Sequence, residues 1–374
     1  MYIVAHNGAP LFGGAEKATA LLLAGLGRRG HRVKLYCNSE RVAERAAGLG
    51  LETQLVRLGG DAMLQDALRF AWLLRKERPD VVLLSTFRKL WLGGLAAWLA
   101  GVPRVVARVG LSGNVPKRWK YRVALRRWVD VVVLNAEALR ADFLKAARRL
   151  DPGRVVTIHT GVTRPERRSP PGTLRRTLGV PADALVIGTL ARLAWQKRLD
   201  RLIHAFAALP SGVHCIIAGE DEDGLRPALL ALAERLGVRD RLHILGFRSE
   251  VADVLDALDV YVVSSDREGL SNAMLEAMAA GIPVVSTPVS GASEALEPFP
   301  DGTAPGEIVG FTAEELSAAL SRLLADAELR RAMGAAAVRR VAERFDFERM
   351  LDDWERLLAG AEVPGRDAGR HSQR

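Results

Sequence analysis

Residues 264–287 read SSDREGLSNAMLEAMAAGIPVVST. The apolar run Val260–Val263 just before them reads as a strand that ends in a polar turn. Ser271 is a natural N-cap for a helix that starts at about Asn272. Gly281, Ile282 and Pro283 stop that helix ahead of the next apolar run, Val284–Ser286. A glycine-containing loop and a helix N-terminus therefore follow the carboxyl end of a buried strand. Free backbone N–H groups and the helix dipole favour an anion such as a phosphate there. Glu268 lies in the loop and Glu276 lies in the helix, about a turn in. Carboxylates at those two places can hold sugar hydroxyls on either side of a bound pyrophosphate. The plainer alternative is two solvated surface acids, which a bare E-x7-E spacing would suggest. The strand, loop, helix and stop around them weigh against it.

The same alternation runs along the chain in both directions. Apolar runs at 33–36, 81–84, 105–107, 131–134, 155–158, 186–190, 214–218 and 242–245 read as strands. Helical periodicity at 15–28, 64–76, 198–208, 225–236 and 313–324 lies between many of them. Continuous apolar strands alternating with helices imply parallel sheets covered on both faces, so the class is α/β, doubly wound. The 374 residues suggest about two domains at roughly 100–200 residues each. Residues 164–171, RPERRSPP, read as a linker. We expect two Rossmann-like domains, 1–165 and 166–345, facing a central cleft. A closing helix at 346–360 and a disordered tail at 361–374 follow.

Charge divides at the same linker. Residues 1–164 hold 28 of the 53 Lys and Arg but only 12 of the 44 Asp and Glu. The first part is thus +16 and the rest −7. A basic N-terminal part suggests an anionic partner: nucleic acid, membrane surface or acidic substrate. Arginine-rich composition is the plainer account, though it explains the asymmetry less well. Cys37 and Cys215 are too far apart for a disulfide framework or a zinc spacing. No secretory pattern opens the chain, and the uncharged stretch 90–103 falls short of the about 20 residues of a bilayer span. A cytoplasmic protein is expected.

Two further segments bear on chemistry. In residues 186–199, VIGTLARLAWQKRL, a strand is followed by Arg192 and, five positions on, Lys197. Together they can bracket a pyrophosphate, Arg bidentately and Lys as a point charge. In residues 7–17, NGAPLFGGAEK, a strand leads through Gly13 and Gly14 into a helix, which lets a ligand approach the backbone closely. This is not G-x-G-x-x-G, and no G-x-x-x-x-G-K-[ST] occurs. A nicotinamide dehydrogenase and a P-loop nucleotidase are therefore disfavoured.

Taken together, the segments resemble the retaining family 4 (group 1) glycosyltransferases of the GT-B fold, over most of the chain. GGAEKATALLLAGLGRRGHRV resembles that family's opening loop and helix, and IHTGV its strand-to-turn element. GTLARLAWQKRLDRLI, AGE at 218–220 and LGF at 245–247 fall where the family binds its donor. EGLSNAMLEAMAAGIPVVST resembles its E-x7-E region, and RRVAERFDF its closing segment.

The resemblance implies a UDP- or GDP-sugar donor, no cofactor and no metal. It implies that Arg192 and Lys197 bind the diphosphate and that Glu276 meets the ribose. Glu268 would contact the transferred sugar, near the amides of Gly269, Leu270 and Ser271. Gly13, Gly14, Gly219, Glu220 and Phe247 complete the expected donor set. Where relatives commonly carry histidine, this chain has Arg108 and the segment STFRK. His6 and Arg108 are the acceptor-side candidates. Residues 117–128, KRWKYRVALRRW, interleave six basic residues with Trp119, Tyr121 and Trp128, the composition of a contact with an anionic membrane. A buried amphipathic helix with a solvated basic face is the alternative. The expected function is therefore transfer of a sugar to a glycan or lipid-linked acceptor, in lipopolysaccharide or exopolysaccharide synthesis at the inner membrane face. A GT-B sugar-nucleotide epimerase, an inactive relative and a basic nucleic-acid-binding module are the alternatives. The last lacks a zinc-finger spacing, an RNP motif or a clear helix-turn-helix, and no nucleic acid is expected as a partner.

Overall fold

The computed structural model describes residues 1–60, 63–110 and 117–361. The tail expected at 361–374 lies, apart from residue 361, outside the described residues. The chain divides into two compact units. One is Met1–Thr160 with Glu348–Ala361, and the other is Gly161–Phe347.

The first unit is built on a seven-stranded sheet. Its strands are β1 (Tyr2–Asn7), β2 (Arg32–Cys37), β3 (Glu52–Leu55), β4 (Val81–Leu84), β5 (Arg104–Val109), β6 (Val131–Leu134) and β7 (Val155–Thr157). The order is β3-β2-β1-β4-β5-β6-β7, and every pairing is parallel. β1 and β4 are buried along their whole length, β4 as an uninterrupted apolar run and β1 with His6 and Asn7 at its carboxyl end. The helix Gly14–Arg28 lays Ala18, Leu22, Leu23 and Leu26 on the sheet. Leu64–Glu77 does the same with Ala67, Phe70, Ala71 and Leu74. The helix Phe347–Leu358 buries Trp354. Arg29 ties it down through Glu348, Asp352 and Glu355 at 2.6–2.8 Å.

The second unit has β8 (Leu185–Leu190), β9 (Val213–Ala218), β10 (Leu242–Ile244), β11 (Val260–Val263), β12 (Val284–Ser286) and β13 (Gly306–Ile308). They run in the order β10-β9-β8-β11-β12-β13, again all parallel. Ile187, Ile217, Val262 and Val285 are fully buried against Leu202, Phe206 and Leu320 from the helices. In both sheets the strand order reverses beside the first strand. That reversal opens a crevice at the carboxyl ends of the two central strands, where α/β sheets bind ligands. In this unit the crevice lies between β8 and β11.

The change of unit falls at Thr160, earlier than the linker composition suggests. Arg167 pairs with Asp256 at 2.5 Å, the Ser169 hydroxyl donates to Asp253 at 2.7 Å, and the Gly172 N–H donates to Asp256 at 2.8 Å. The proline-rich stretch is therefore fastened to the second unit. Two strands, β3 and β13, do not show in the sequence as apolar runs. Both are short and polar, and β3 is largely exposed at its sheet's edge.

Candidate functional site

The helix Asn272–Ala279 begins where the cap predicts. The Ser271 hydroxyl accepts the Met274 N–H, and the helix ends before Gly281, whose φ of +83° only glycine adopts without strain. The loop before it is clamped from below. The Gly291 N–H donates to the Gly269 carbonyl at 2.9 Å. A side chain at Gly291 would meet the Leu270 backbone at 2.5 Å. The Thr287 hydroxyl donates to the Ser265 carbonyl at 2.7 Å. Gly269 and Leu270 are buried, so their backbone is fixed by packing.

Glu268 is the central group of this loop. Its side chain is only 11% exposed and forms an ion pair with Lys197. The same carboxylate accepts the Ser265 hydroxyl at 2.8 Å. Lys197 ends a 3-10 turn, Trp195–Lys197, on the loop after β8, and its carbonyl accepts the Ser264 hydroxyl at 2.8 Å. The two loops at the crevice of the second sheet are thus laced together. Tyr261 lies beneath them with its hydroxyl at the Leu190 carbonyl, 3.2 Å away. Burial pushes the pKa of that hydroxyl far up, and the charges of Glu268 and Glu276 push it further. Tyr261 therefore feels both carboxylates of the E-x7-E pair at once.

Arg192 precedes Lys197 on the same loop and pairs with Glu222. Glu222 comes from the loop after β9, which is zipped to residues 193–195. The Leu193 N–H donates to the Glu220 carbonyl at 2.8 Å, and the Asp223 N–H to the Leu193 carbonyl at 3.2 Å. Gly219 is needed for this close approach, because a Cβ there would stand 1.9 Å from the Ala191 carbonyl oxygen. The Phe247 ring is 47% exposed at the adjacent loop. The structure thus gathers Arg192, Lys197, Glu268, Gly269, Leu270, Ser271 and Gly219 around the carboxyl ends of β8, β9 and β11. Sequence reasoning missed Ser265, Thr287, Tyr261 and Glu222, which hold or balance them. The hydroxyl run in SSD and ST around the strand ends was the available signal.

In the first unit, Gly13 caps the helix Gly14–Arg28. Its N–H donates to the Glu16 carboxylate at 3.0 Å. Arg108, at the end of β5, is buried. It donates to the hydroxyls of Thr19 at 3.0 Å and Thr160 at 3.3 Å. Burial lowers its pKa to about 10, partly offset by Glu16. His6, the other acceptor-side candidate, is fully buried in β1, its ring lies tilted against that of Phe70, and its Nε2 lies 3.1 Å from the Val56 carbonyl. Burial drives its pKa down to about 4. It is a neutral core group, because β1 is flanked by β2 and β4 and covered on both faces.

The basic segment is buried on one side and exposed on the other. In the helix Trp119–Arg127, Lys120 and Tyr121 turn inward, and Tyr121 packs on Phe87. Trp128 packs on Trp91. Lys117, Arg118, Trp119, Arg126 and Arg127 remain exposed. Among the described residues, no three His, Cys, Asp or Glu side chains gather as a metal-ligand set. Nor is any helix among them long and apolar enough to cross a membrane.

Comparison with known proteins gives consistent results. Residues 172–340 match the family model described as glycosyl transferases group 1, and residues 12–164 match glycosyltransferase family 4. The chain is 30% identical over 353 residues to the lipopolysaccharide core biosynthesis glycosyltransferase LpsE of Rhizobium meliloti, covering 93% of this chain and 96% of that one. It is 33% identical over 293 residues to the D-inositol 3-phosphate glycosyltransferase of Stackebrandtia nassauensis, covering 70% and 65%. Among solved structures it resembles Anabaena HepE in complex with UDP and glucose, with a TM-score of 0.84 at 21% identity over 96% of this chain and 99% of that one. That likeness establishes a GT-B fold.

Proposed function

The chain belongs to the group 1 glycosyl transferases, and from that premise we propose that it moves a sugar from a UDP- or GDP-sugar to a glycan or lipid-linked acceptor, with retention of configuration and without a metal ion. The observation that carries the reading is the lacing of Lys197 to Glu268 in the crevice between β8 and β11, beside the helix N-terminus at Asn272.

Each residue then has a physical task. Arg192 and Lys197 hold the diphosphate and offset the charge that grows on it as the sugar departs. The N–H groups at Gly269, Leu270 and Ser271 and the helix dipole add to that field. Glu268 receives hydroxyls of the transferred sugar, and Glu276 those of the ribose. Gly219, Glu220 and Phe247 border the base. On the acceptor side, Arg108 is a buried cation that donates to the neutral hydroxyls of Thr19 and Thr160, which suits an anionic group on donor or acceptor. The bond from the anomeric carbon to the phosphate oxygen breaks on the same face at which the acceptor oxygen joins. The departing phosphate takes the acceptor's proton.

The likeness to a lipopolysaccharide core enzyme supports envelope glycan assembly, lipopolysaccharide or exopolysaccharide, as the setting. A cytoplasmic enzyme resting on the inner membrane leaflet fits such an acceptor. The exposed residues of 117–128 are the contact. Trp119 is 66% exposed and Trp98, on the neighbouring helix Leu90–Ala100, is 58% exposed. Rings and cations together suit an anionic interface.

The test is proton NMR of the product made from each candidate nucleotide-sugar with an envelope oligosaccharide fraction, with and without EDTA. The same anomeric configuration in donor and product, formed in EDTA, is expected. An inverted linkage, or a need for metal, would overturn the respective part. An isomerised sugar-nucleotide made without acceptor would favour an epimerase.

A further inference from the structure

Trp195 is the most exposed large apolar side chain among the described residues, at 71%. Its backbone, by contrast, is held from both sides. Its N–H donates to the Asp223 carboxylate at 2.9 Å, and the carbonyl of the next residue, Gln196, accepts the Asp266 N–H at 2.9 Å. A fixed backbone presenting an open indole costs little ordering entropy when a ligand covers the ring. Beside the ring is a pocket of about 450 Å³, bordered by Gln196, Glu222, Asp223, Asp266 and Arg267 as well as Arg192. That volume lies within the roughly 300–1,000 Å³ of small-molecule sites.

The chemistry of the lining selects the ligand. Glu222, Asp223 and Asp266 outnumber Arg192 and Arg267 in the lining, and Arg192 is paired with Glu222, so the pocket has no net positive charge to favour a diphosphate. Burial pushes the Asp266 carboxyl up, but hydrogen bonds from Arg201 and Arg198 outweigh it and hold the pKa below its usual value. Ionised carboxylates accept several hydrogen bonds each and so retain acceptor sites beyond these partners. An aromatic face with carboxylate acceptors and the Gln196 amide around it suits a neutral polyhydroxylated ring. The C–H face of such a ring lies on the indole, and its hydroxyls reach the rim.

We propose that Trp195 and this pocket form a saccharide subsite that takes a sugar ring of the acceptor glycan, next to the diphosphate positions through the shared Arg192. This rests on the glycosyltransferase reading above. It places part of acceptor recognition on the second unit and makes Trp195 a specificity-determining residue.

Saturation-transfer NMR on the full chain tests it, with UDP and the methyl glycosides of glucose, galactose, mannose and N-acetylglucosamine as probes. At least one glycoside should receive saturation, strongest on the C–H protons of one ring face. Trp195→Ala should weaken that binding about tenfold, and Trp195→Phe should retain most of it. UDP signals should be the same in all three proteins. Absence of transfer to every glycoside, or binding unchanged in Trp195→Ala, overturns the subsite. Loss of UDP binding in Trp195→Ala would assign the ring to the donor and also overturn it. Failure of the wild type to bind UDP would instead count against a UDP-sugar donor, so the two failures are distinct.

Discussion

Lys197 and Glu268 are 71 residues apart in sequence, yet their side chains form an ion pair in which the two partners are only 14% and 11% exposed. The pairing exists because β8 and β11 are neighbours at the crevice of the second sheet. It fixes the position of both the proposed phosphate cation and the proposed sugar-binding carboxylate before a donor arrives.

A largely buried pair behaves asymmetrically when cut. Lys197→Ala leaves the Glu268 carboxylate with only the Ser265 hydroxyl of its two partners, and is expected to destabilise the protein by about 1–3 kcal/mol. Adding Glu268→Gln should recover part of that loss, a non-additivity readable in denaturant unfolding. Each single variant should lower kcat by about 10²–10³. A double variant that loses the full sum of both effects would show that the pair is not coupled.

Arg192 presents a different balance. Its pair with Glu222 is partly exposed, and such pairs contribute about 0–1 kcal/mol. A diphosphate must compete with Glu222 for the guanidinium. Glu222→Gln is therefore expected to tighten nucleotide binding about two- to fivefold by titration calorimetry. Weaker binding would mean that Arg192 does not meet the phosphates.

His6 makes stability depend on pH. Its pKa is about 4 in the folded chain against about 6.5 unfolded, with burial as the chief cause. Between those values the unfolded chain binds the extra proton. The contribution of neutral His6 is complete above pH 6.5 and is lost as pH falls toward 4, about 3 kcal/mol in all. His6→Gln should remove this component, so the stability gap between wild type and variant should narrow from pH 7.5 to pH 5. A constant gap would contradict the assignment.

The membrane contact calls for vesicle co-sedimentation. Anionic vesicles at low salt should capture the protein better than neutral ones, with the difference shrinking as salt rises. Trp119→Ala combined with Arg126→Ala and Arg127→Ala should reduce capture. No preference for anionic vesicles would exclude 117–128 as a membrane contact.

What the sequence disclosed follows burial. β4, β11 and β12 announced themselves as apolar runs because central parallel strands are covered on both faces. The helix at Asn272 was legible to its first residue through Ser271 and to its end through Gly281. β3 and β13 escaped because short polar strands at sheet edges need little apolar surface. Arg192, Lys197 and Glu268 were found as residue types, but their partners were not, since Glu222 and Ser265 are brought in by strand order and loop packing. The enclosure of His6 is not legible in the sequence, because it comes from the strands on either side of β1. Lys120 and Tyr121 are turned inward by the helical period, as the amphipathic-helix alternative for 117–128 has it.

The most direct test of the central claim is a thermal-shift series with UDP, GDP, ADP and CMP and their sugar conjugates, in EDTA, on wild type and Lys197→Ala. One nucleotide diphosphate should stabilise the wild type selectively, and its effect should be lost or much reduced in Lys197→Ala. Stabilisation by no nucleotide, or an equal shift in both proteins, would contradict a diphosphate held in the crevice between β8 and β11.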